Sequence, residues 1–425
     1  MLIEFSVENF RSIKDKVTLN LEATADKDLY KNIIEIEVPK NATEKKKMKL
    51  LKSAAIYGAN ASGKSSIILA MVYIKYIIRS SIENQPGQEF MTDVFLLNEK
   101  WNNKPSCFEI KFIKNNIIYD YKIKFTKARV EEESLSFYPN GRKTPVFTRK
   151  KNNTDFHTLN DTKEDQYKKN FYTAQVSENI PILSMPNIIK IKPIEDIFVW
   201  FMNDFLIETN NNKEILTDIT SEMIYAKDLK KEKVLKYLQL ADPTIENLEI
   251  KAEKDEKTTS AKREISNKPI FYEFITRKSI NKNNKTETIG FPMFMESDGT
   301  NRFYGIIAPI ITALERGATL CVDELDLRMH TNLTRAIVEL FSSELNDKGA
   351  QLIFTAHDTN MLDTQTLLRR DQIWFTEKQN EGYTDLYCLS DIAVRKDKVI
   401  EKNYIKGIFG AVPLLNLEGI LCDKK

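Results

Sequence analysis

The sequence predicts an α/β protein: a mainly parallel sheet core, an antiparallel β lobe near the N-terminus, and a largely helical insertion between the two halves of the core. Three observations predict it. The segment YGANASGKSS, Tyr57–Ser66, puts a glycine turn between a short apolar strand pattern and a long apolar helix pattern. From residue 107 to 147 the apolar period drops to two, as antiparallel pairing requires. The last third alternates strand and helix patterns of the lengths that parallel sheets use.

Taken in order, LIEFSVENFRSIKDKVTLNLEA alternates in two runs joined around Asn9–Ser12, which predicts a hairpin. A lysine-rich loop is expected at 44–49, followed by the strand SAAIYG ending at Gly58. From Lys64, KSSIILAMVYIKYIIRSSI contains neither Gly nor Pro and predicts a buried helix. CFEIKFIKNNIIYDYKIKF predicts a hairpin turning at Asn115-Asn116, and PNGRK (Pro139–Lys143) a further turn. Residues 160–240 read as mostly helical, with EDIFVWFMNDFLI and LKKEKVLKYLQLA carrying the spacing of packed helices. The polar stretch 252–268 predicts an exposed, mobile loop, and strand patterns return at IFYEFIT and ETIGFPMFM. RFYGIIAPIITALERG then predicts a helix closed by Gly317, ATLCVDE a strand, NLTRAIVELFSSEL a helix and AQLIFTAHD a strand. This divides the chain into an N-terminal lobe (1–150), the insertion (151–285) and a C-terminal lobe (286–425).

Of the 425 residues, 42% are hydrophobic and 29% charged, the balance of a soluble globular chain with room for two or three lobes. A net charge of +2 gives no global basic field that would argue for nucleic acid. The runs EKKKMKLLK and AEKDEKTTSAKRE read as solvated faces. Cys107, Cys321, Cys388 and Cys422 form no C-x-x-C pair, and His157, His330 and His357 lie far apart. Neither a zinc site nor a disulfide framework is expected, and reduced thiols point to the cytoplasm. The N-terminus MLIEFSVENFRSIKD is too polar for a signal peptide, and no apolar run of membrane length is expected.

Four motifs carry chemistry. YGANASGKSS matches the phosphate-loop pattern G-x-x-x-x-G-K-[ST], with Gly58 and Gly63 letting backbone N–H groups turn inward. Lys64 would reach the β- and γ-phosphates of a nucleotide triphosphate and Ser65 would supply a hydroxyl to Mg²⁺, with Asn60, Ser62 and Ser66 as further loop contacts. ATLCVDEL ends a strand in Asp323-Glu324, the form of a Walker B segment; Asp323 would hold the metal and Glu324 would orient and activate water. Alone, such an acidic pair is also an ordinary helix start. His357 ends the strand QLIFTA, where it could bond the γ-phosphate. MESDGTNRF, Met295–Phe303, places a Ser-x-Gly turn at a helix start; by itself it is equally a capping turn.

The order of these motifs resembles the ATP-binding-cassette (ABC) ATPases, and more closely their SMC/RecF/OLD-like branch. In that branch the N-terminal strand carries Asn-Phe-Arg-Ser, here Asn9-Phe10-Arg11-Ser12. The signature turn falls on Ser297, Asp298 and Gly299, the D-loop on Leu325-Asp326 and the switch histidine on His357. YIKGIFGAVPLL (Tyr404–Leu415), with SDGTNRF and DELDLRMH, is similar to a narrower group: stand-alone bacterial ATPases of abortive-infection, restriction and anti-phage systems. The resemblance covers both ends of the chain and is poor between about 150 and 290.

It implies an ABC-type P-loop NTPase that binds ATP and Mg²⁺ and hydrolyses ATP, with Arg11, Ser297 and Gly299 among the nucleotide contacts. It implies a homo-oligomer built from head-to-tail dimers, in which Ser297 and Gly299 complete the partner's site. A separate effector, a nuclease or toxin, is the expected partner, with DNA or a phage protein as a further possibility and no membrane. The signature departs from Leu-Ser-Gly-Gly-Gln, no Q-loop glutamine stands out beyond Gln88 as a candidate, and the 68 residues after His357 leave no room for a TOPRIM-like nuclease module. Two functions stay open at this point: a regulatory ATPase of a defence system, and a DNA-repair ATPase that clamps duplex. The intact set Lys64, Ser65, Asp323, Glu324 and His357 speaks against a third, a scaffold that binds ATP without turnover.

Overall fold

The N-terminal hairpin forms as the alternation predicts: Leu2–Glu8 pairs antiparallel with Val17–Asn20. It ends a seven-stranded antiparallel sheet that continues through Ser106–Lys114, Ile117–Phe125, Val130–Phe137, Thr144–Lys150 and Asn153–Phe156. The turn at Asn115 (φ 50°) and Asn116 (φ 62°) puts both central residues in the left-handed region, which a two-residue type I′ hairpin needs and asparagine tolerates. The computed structural model describes residues 1–85, 87–160, 162–209, 213–253, 269–280, 284–394 and 399–413.

The second sheet has six strands in the order Phe205–Glu208, Thr319–Val322, Gln351–Thr355, Ser53–Gly58, Ile373–Lys378 and Thr384–Cys388. The first five run parallel and the last is antiparallel. All six residues of Ser53–Gly58 are buried, as a central strand covered on both faces requires. Its alternate residues serve two cores. Ala54 and Ile56 join the helix Lys64–Ser80 and the aromatic inner face of the N-terminal sheet. Ala55 and Tyr57 join the helices Asp298–Arg316 and Thr331–Ser342 on the other side. The fold is thus an α/β, ABC-type P-loop NTPase fold with its antiparallel lobe at the N-terminus.

The middle of the chain contributes the helices Lys163–Gln175, Lys192–Val199, Lys213–Tyr225 and Lys231–Ala241. A three-stranded antiparallel meander, Ile245–Glu253, Ile270–Ile280 and Thr286–Pro292, follows them. Thr220 Oγ1 donates to the Tyr304 carbonyl (3.0 Å), and Ser221 Oγ lies 2.8 Å from the Tyr304 hydroxyl, tying this region to the helix Asp298–Arg316.

Four sequence expectations need correction or restriction. The lysine-rich loop at 44–49 is part of a strand, Lys45–Leu51, paired with Ile33–Pro39. Its lysines face glutamates across the ribbon (Lys47–Glu35 3.2 Å, Lys45–Glu37 3.6 Å), and cross-strand charge pairing outweighs the low strand propensity of lysine. EDIFVWFMNDFLI is not one helix: the α-helix ends at Val199, one π turn follows, and Phe205–Glu208 becomes the edge strand beside Thr319–Val322. The expected loop at 252–268 starts later, because Ala252 and Glu253 still pair with Phe271 and Ile270; residues 254–268 lie outside the described residues. Finally, one helix among the described residues, Lys64–Glu83, is long and apolar enough to cross a membrane by length and composition. In this fold it is a core helix, with Ile67, Ile68, Met71, Ile74, Ile77 and Ile78 buried.

Trp200 anchors the junction between the two large sheets. Its ring stacks on Phe112 (centroids 3.9 Å apart, 17° between planes) and on Phe205 (5.0 Å, 16°), and it is fully buried. Trp200→Ala is expected to lower the free energy of unfolding by about 3–5 kcal/mol. Urea denaturation followed by circular dichroism checks this, and a loss under about 1 kcal/mol would contradict the packing role given to Trp200.

Candidate nucleotide site

The site forms where the central strand ends. After Gly58 the chain curls through residues 59–63 and enters the helix at Lys64, so the helix N-terminus faces the loop's concavity. Gly63 has φ +106°, and a Cβ there would lie 2.1 Å from Thr384 Oγ1. A Cβ on Gly58 would lie 2.3 Å from Thr376 Oγ1 and 2.4 Å from Ser62 Oγ. Both positions demand glycine because hydroxyls grip the loop from behind. Ser62 Oγ is 2.6 Å from Thr376 Oγ1, and Thr384 Oγ1 is 2.8 Å from both the Ser62 carbonyl and Ser12 Oγ. Ser12 Oγ in turn lies 2.9 Å from Ser66 Oγ.

Lys64 folds back on the loop, donating to the carbonyls of Gly58 (2.8 Å) and Ala59 (3.0 Å). Burial lowers its pKa, opposed by the carboxylates of Glu324, Asp323 and Asp326. Opposite it, Asp323 Oδ1 accepts from Ser65 Oγ (3.1 Å) and Thr355 Oγ1 (2.7 Å). Thr355 Oγ1 also accepts from the Glu324 amide (2.6 Å). Glu324 itself has φ +50°, the left-handed region that a glutamate enters only when its surroundings hold it there. Asp326 Oδ2 accepts from the amides of His357 (2.7 Å) and Asp358 (2.6 Å), so the D-loop carboxylate fixes the turn that carries His357.

A cavity of about 660 Å³ results, within the size range of small-molecule sites. It brings together Arg11, Asn60, Gly63, Lys64, Ser65, Ser66, Glu324 and His357 of the residues singled out from the sequence. Asp323 stands just behind its wall through Ser65. Gly58 and Ser62 shape the loop without lining the cavity, and Arg11 is held 3.7 Å from Asp93. The Ser65 and Asp323 oxygens form a hard, two-ligand set that suits Mg²⁺ bound with help from substrate phosphates.

Ser297 and Gly299 are not brought into this cavity. Ser297 caps the helix Asp298–Arg316, accepting from the Thr300 amide at 3.1 Å. A Cβ on Gly299 would lie 2.5 Å from the Arg328 carbonyl, so the turn is seated on the segment that follows the D-loop. Gln88 is also absent from the cavity; its side-chain oxygen accepts from the Gln85 amide at 2.9 Å.

Sequence reading missed Arg302 and Glu208. The buried Arg302 guanidinium donates to the Asp323 carbonyl (3.4 Å), and burial lowers its pKa against the pull of Glu208, Glu324 and Asp323. The Glu208 carbonyl accepts from the Asp323 amide (3.0 Å), and burial pushes its carboxyl up to about 7, opposed by Arg302 and Lys75. Arg302 carried a signal, its place five residues after Ser297 on one helix. Glu208 carried none, because only the strand order sets it beside Asp323.

Among solved structures the chain is similar to an Smc head bound to the C-winged helix domain of ScpA, at 12% identity, with 91% of this chain and 97% of that one covered and a TM-score of 0.44. It is similar to the SMC head domain from Thermotoga maritima at 12% identity, with 92% and 99% covered and a TM-score of 0.39. A third is the recombination mediator protein RecF with ATP, at 14% identity, 91% and 97% coverage and a TM-score of 0.33. No curated protein matches the chain. A family model described as "AAA domain, putative AbiEii toxin, Type IV TA system" matches residues 53–363, from the first residue of the phosphate-loop strand to beyond His357. With nearly three quarters of its length matched, the chain belongs to that AAA-domain family, and its phosphate loop between a central parallel strand and a helix is the arrangement of a P-loop NTPase.

Proposed function

We propose that the chain binds ATP with Mg²⁺ and hydrolyses it in sites shared between two head-to-tail copies, and that the nucleotide state controls a separate effector protein of a bacterial defence system. The observation that supports hydrolysis best is the cavity that Lys64, Ser65, Glu324 and His357 line together.

In this reading Lys64 leaves the Gly58 and Ala59 carbonyls and pairs with the β- and γ-phosphates, while loop amides and the helix N-terminus hold the remaining oxygens. Ser65 and Asp323 would hold Mg²⁺, which would supply charge neutralisation at the phosphates. Glu324, held at positive φ, orients a water in line with the γ-phosphate and accepts its proton. His357, presented by Asp326, bonds the γ-phosphate and registers its loss. Because Ser297 and Gly299 lie outside the cavity of their own chain, a second copy supplies them. The family's description, which names a putative AbiEii toxin and a Type IV toxin–antitoxin system, supports the defence role. The described cysteines, Cys107, Cys321 and Cys388, are buried and unpaired, which fits a cytoplasmic setting.

Lys64→Ala is expected to weaken ATP binding by about 100-fold or more, measured by calorimetry. Glu324→Gln is expected to keep ATP binding, lower turnover by about 10²–10⁴-fold and hold the dimer closed; full turnover would defeat the role given to Glu324. Ser297→Arg is expected to leave ATP binding by the monomer within about 2-fold and to abolish hydrolysis, and normal turnover would count against shared sites. Tagged Glu324→Gln protein purified from native cells in ATP and Mg²⁺ tests the effector role. A stoichiometric nuclease or toxin is the expected companion, whereas bound DNA without a protein would replace the role with that of a clamp.

A further inference from the structure

Arg302 is a buried charge with too few partners. The residue is 7% exposed, yet its Nη2 makes one long hydrogen bond, to the Asp323 carbonyl at 3.4 Å. Its Nε and Nη1 have no hydrogen-bond partner among the described residues. The two other arginines buried to this degree among the described residues behave differently. Arg149 spends Nε, Nη1 and Nη2 on the carbonyls of Lys151, Ile180 and Ser177. Arg369 spends its nitrogens on the Asp371 carboxylate and the carbonyls of Asp26 and Asp28. A buried guanidinium pays heavily for every N–H that it leaves open, so two open donors at one position require a reason.

The surroundings supply one. The peptide that joins Asp323 to Glu324 is gripped at both ends: Arg302 holds its carbonyl, and Thr355 Oγ1 accepts from its N–H at 2.6 Å. That grip sits at the residue with φ +50°, so Arg302 helps to keep Glu324 in its left-handed conformation. Three carboxylates attract the guanidinium, those of Glu208, Glu324 and Asp323. Asp323 Oδ1 already receives the hydroxyls of Ser65 and Thr355. Glu208 takes a charge least readily, because burial pushes its carboxyl up to about 7. Glu324 lines the cavity and Arg302 does not, so the arginine reaches the nucleotide through the glutamate.

We propose that Arg302 is a positioning residue for hydrolysis: with ATP bound, one of its open N–H groups donates to the Glu324 carboxylate while Nη2 keeps the Asp323 carbonyl. A charge-assisted bond of this kind fixes which way the carboxylate faces, and the second hold fixes the backbone that carries it. The inference rests on Glu324 acting as the base that orients the attacking water, and it adds the group that orients Glu324.

The test uses the full-length protein. Arg302→Met keeps an apolar stem and removes the charge and the donors. It is expected to lower kcat by about 10²-fold and to leave the KM for ATP within about 3-fold. Arg302→Lys restores the charge and is expected to recover kcat to within about 10-fold of the unmodified protein. Glu208 takes a proton when the arginine is gone, so both variants are expected to keep their melting temperature within a few degrees. The deciding measurement is single-turnover hydrolysis by the double variant. In Glu324→Ala there is no carboxylate to position, so adding Arg302→Met is expected to cost less than about 2-fold more. A full further loss in that background overturns the inference and leaves the role of Glu324 standing. An unchanged kcat in Arg302→Met, or a KM that rises as kcat falls, does the same. Full turnover by Glu324→Ala alone overturns the role of Glu324 and the inference together. Should Arg302→Met fail to fold, Arg302→Lys carries the same comparison: its loss is expected to vanish beside Glu324→Ala, and a loss that persists there overturns the inference.

Discussion

The carboxylate of Asp323 is the point on which the site's geometry depends. Its Oδ1 receives hydroxyls from Ser65, on the helix that follows the phosphate loop, and from Thr355, at the end of the neighbouring strand. Thr355 also receives the Glu324 amide, so one oxygen fixes the relative positions of three strand ends and sets the backbone of Glu324. Residues 258 positions apart in sequence are joined here. That separation explains why the first and last parts of the chain must fold as one unit: the central strand Ser53–Gly58 has both its neighbours, Gln351–Thr355 and Ile373–Lys378, from the far end of the chain.

The same logic appears behind the phosphate loop. Thr376 and Thr384, from the last two strands of the sheet, and Ser12, from the N-terminal turn, hold Ser62 and Ser66 in place. The loop is therefore a rigid cradle whose shape is set from outside it, and its two glycines are required by those hydroxyls as well as by any ligand. Rigid donors placed before a ligand arrives cost little reorganisation when charge develops on it, which is the condition for electrostatic catalysis of phosphoryl transfer.

Much of this was legible in the sequence because it is local. The phosphate loop between strand and helix, the Asn115-Asn116 hairpin and the Gly317 helix stop each depend on neighbouring residues. What was not legible depends on tertiary position. Phe205–Glu208 reads as a helix continuation until the edge of Thr319–Val322 is there to pair with it. The Lys45–Leu51 strand reads as a charged loop until Glu35 and Glu37 stand opposite its lysines. Glu208 and Thr384 carry no motif, and sheet order alone brings them to the site. Ser297 and Gly299 were legible as a turn at a helix start, and their distance from the cavity is a property of the assembled chain.

The proposal that most needs testing is that one chain holds only half of a working nucleotide site. The most direct measurement is ATP turnover per chain as a function of protein concentration at saturating ATP and Mg²⁺, with mass photometry reporting the state of assembly on the same samples. The account predicts turnover near zero where the protein is monomeric, rising in step with the dimer fraction to a plateau. Turnover per chain that stays constant down to concentrations where only monomer is present would contradict it.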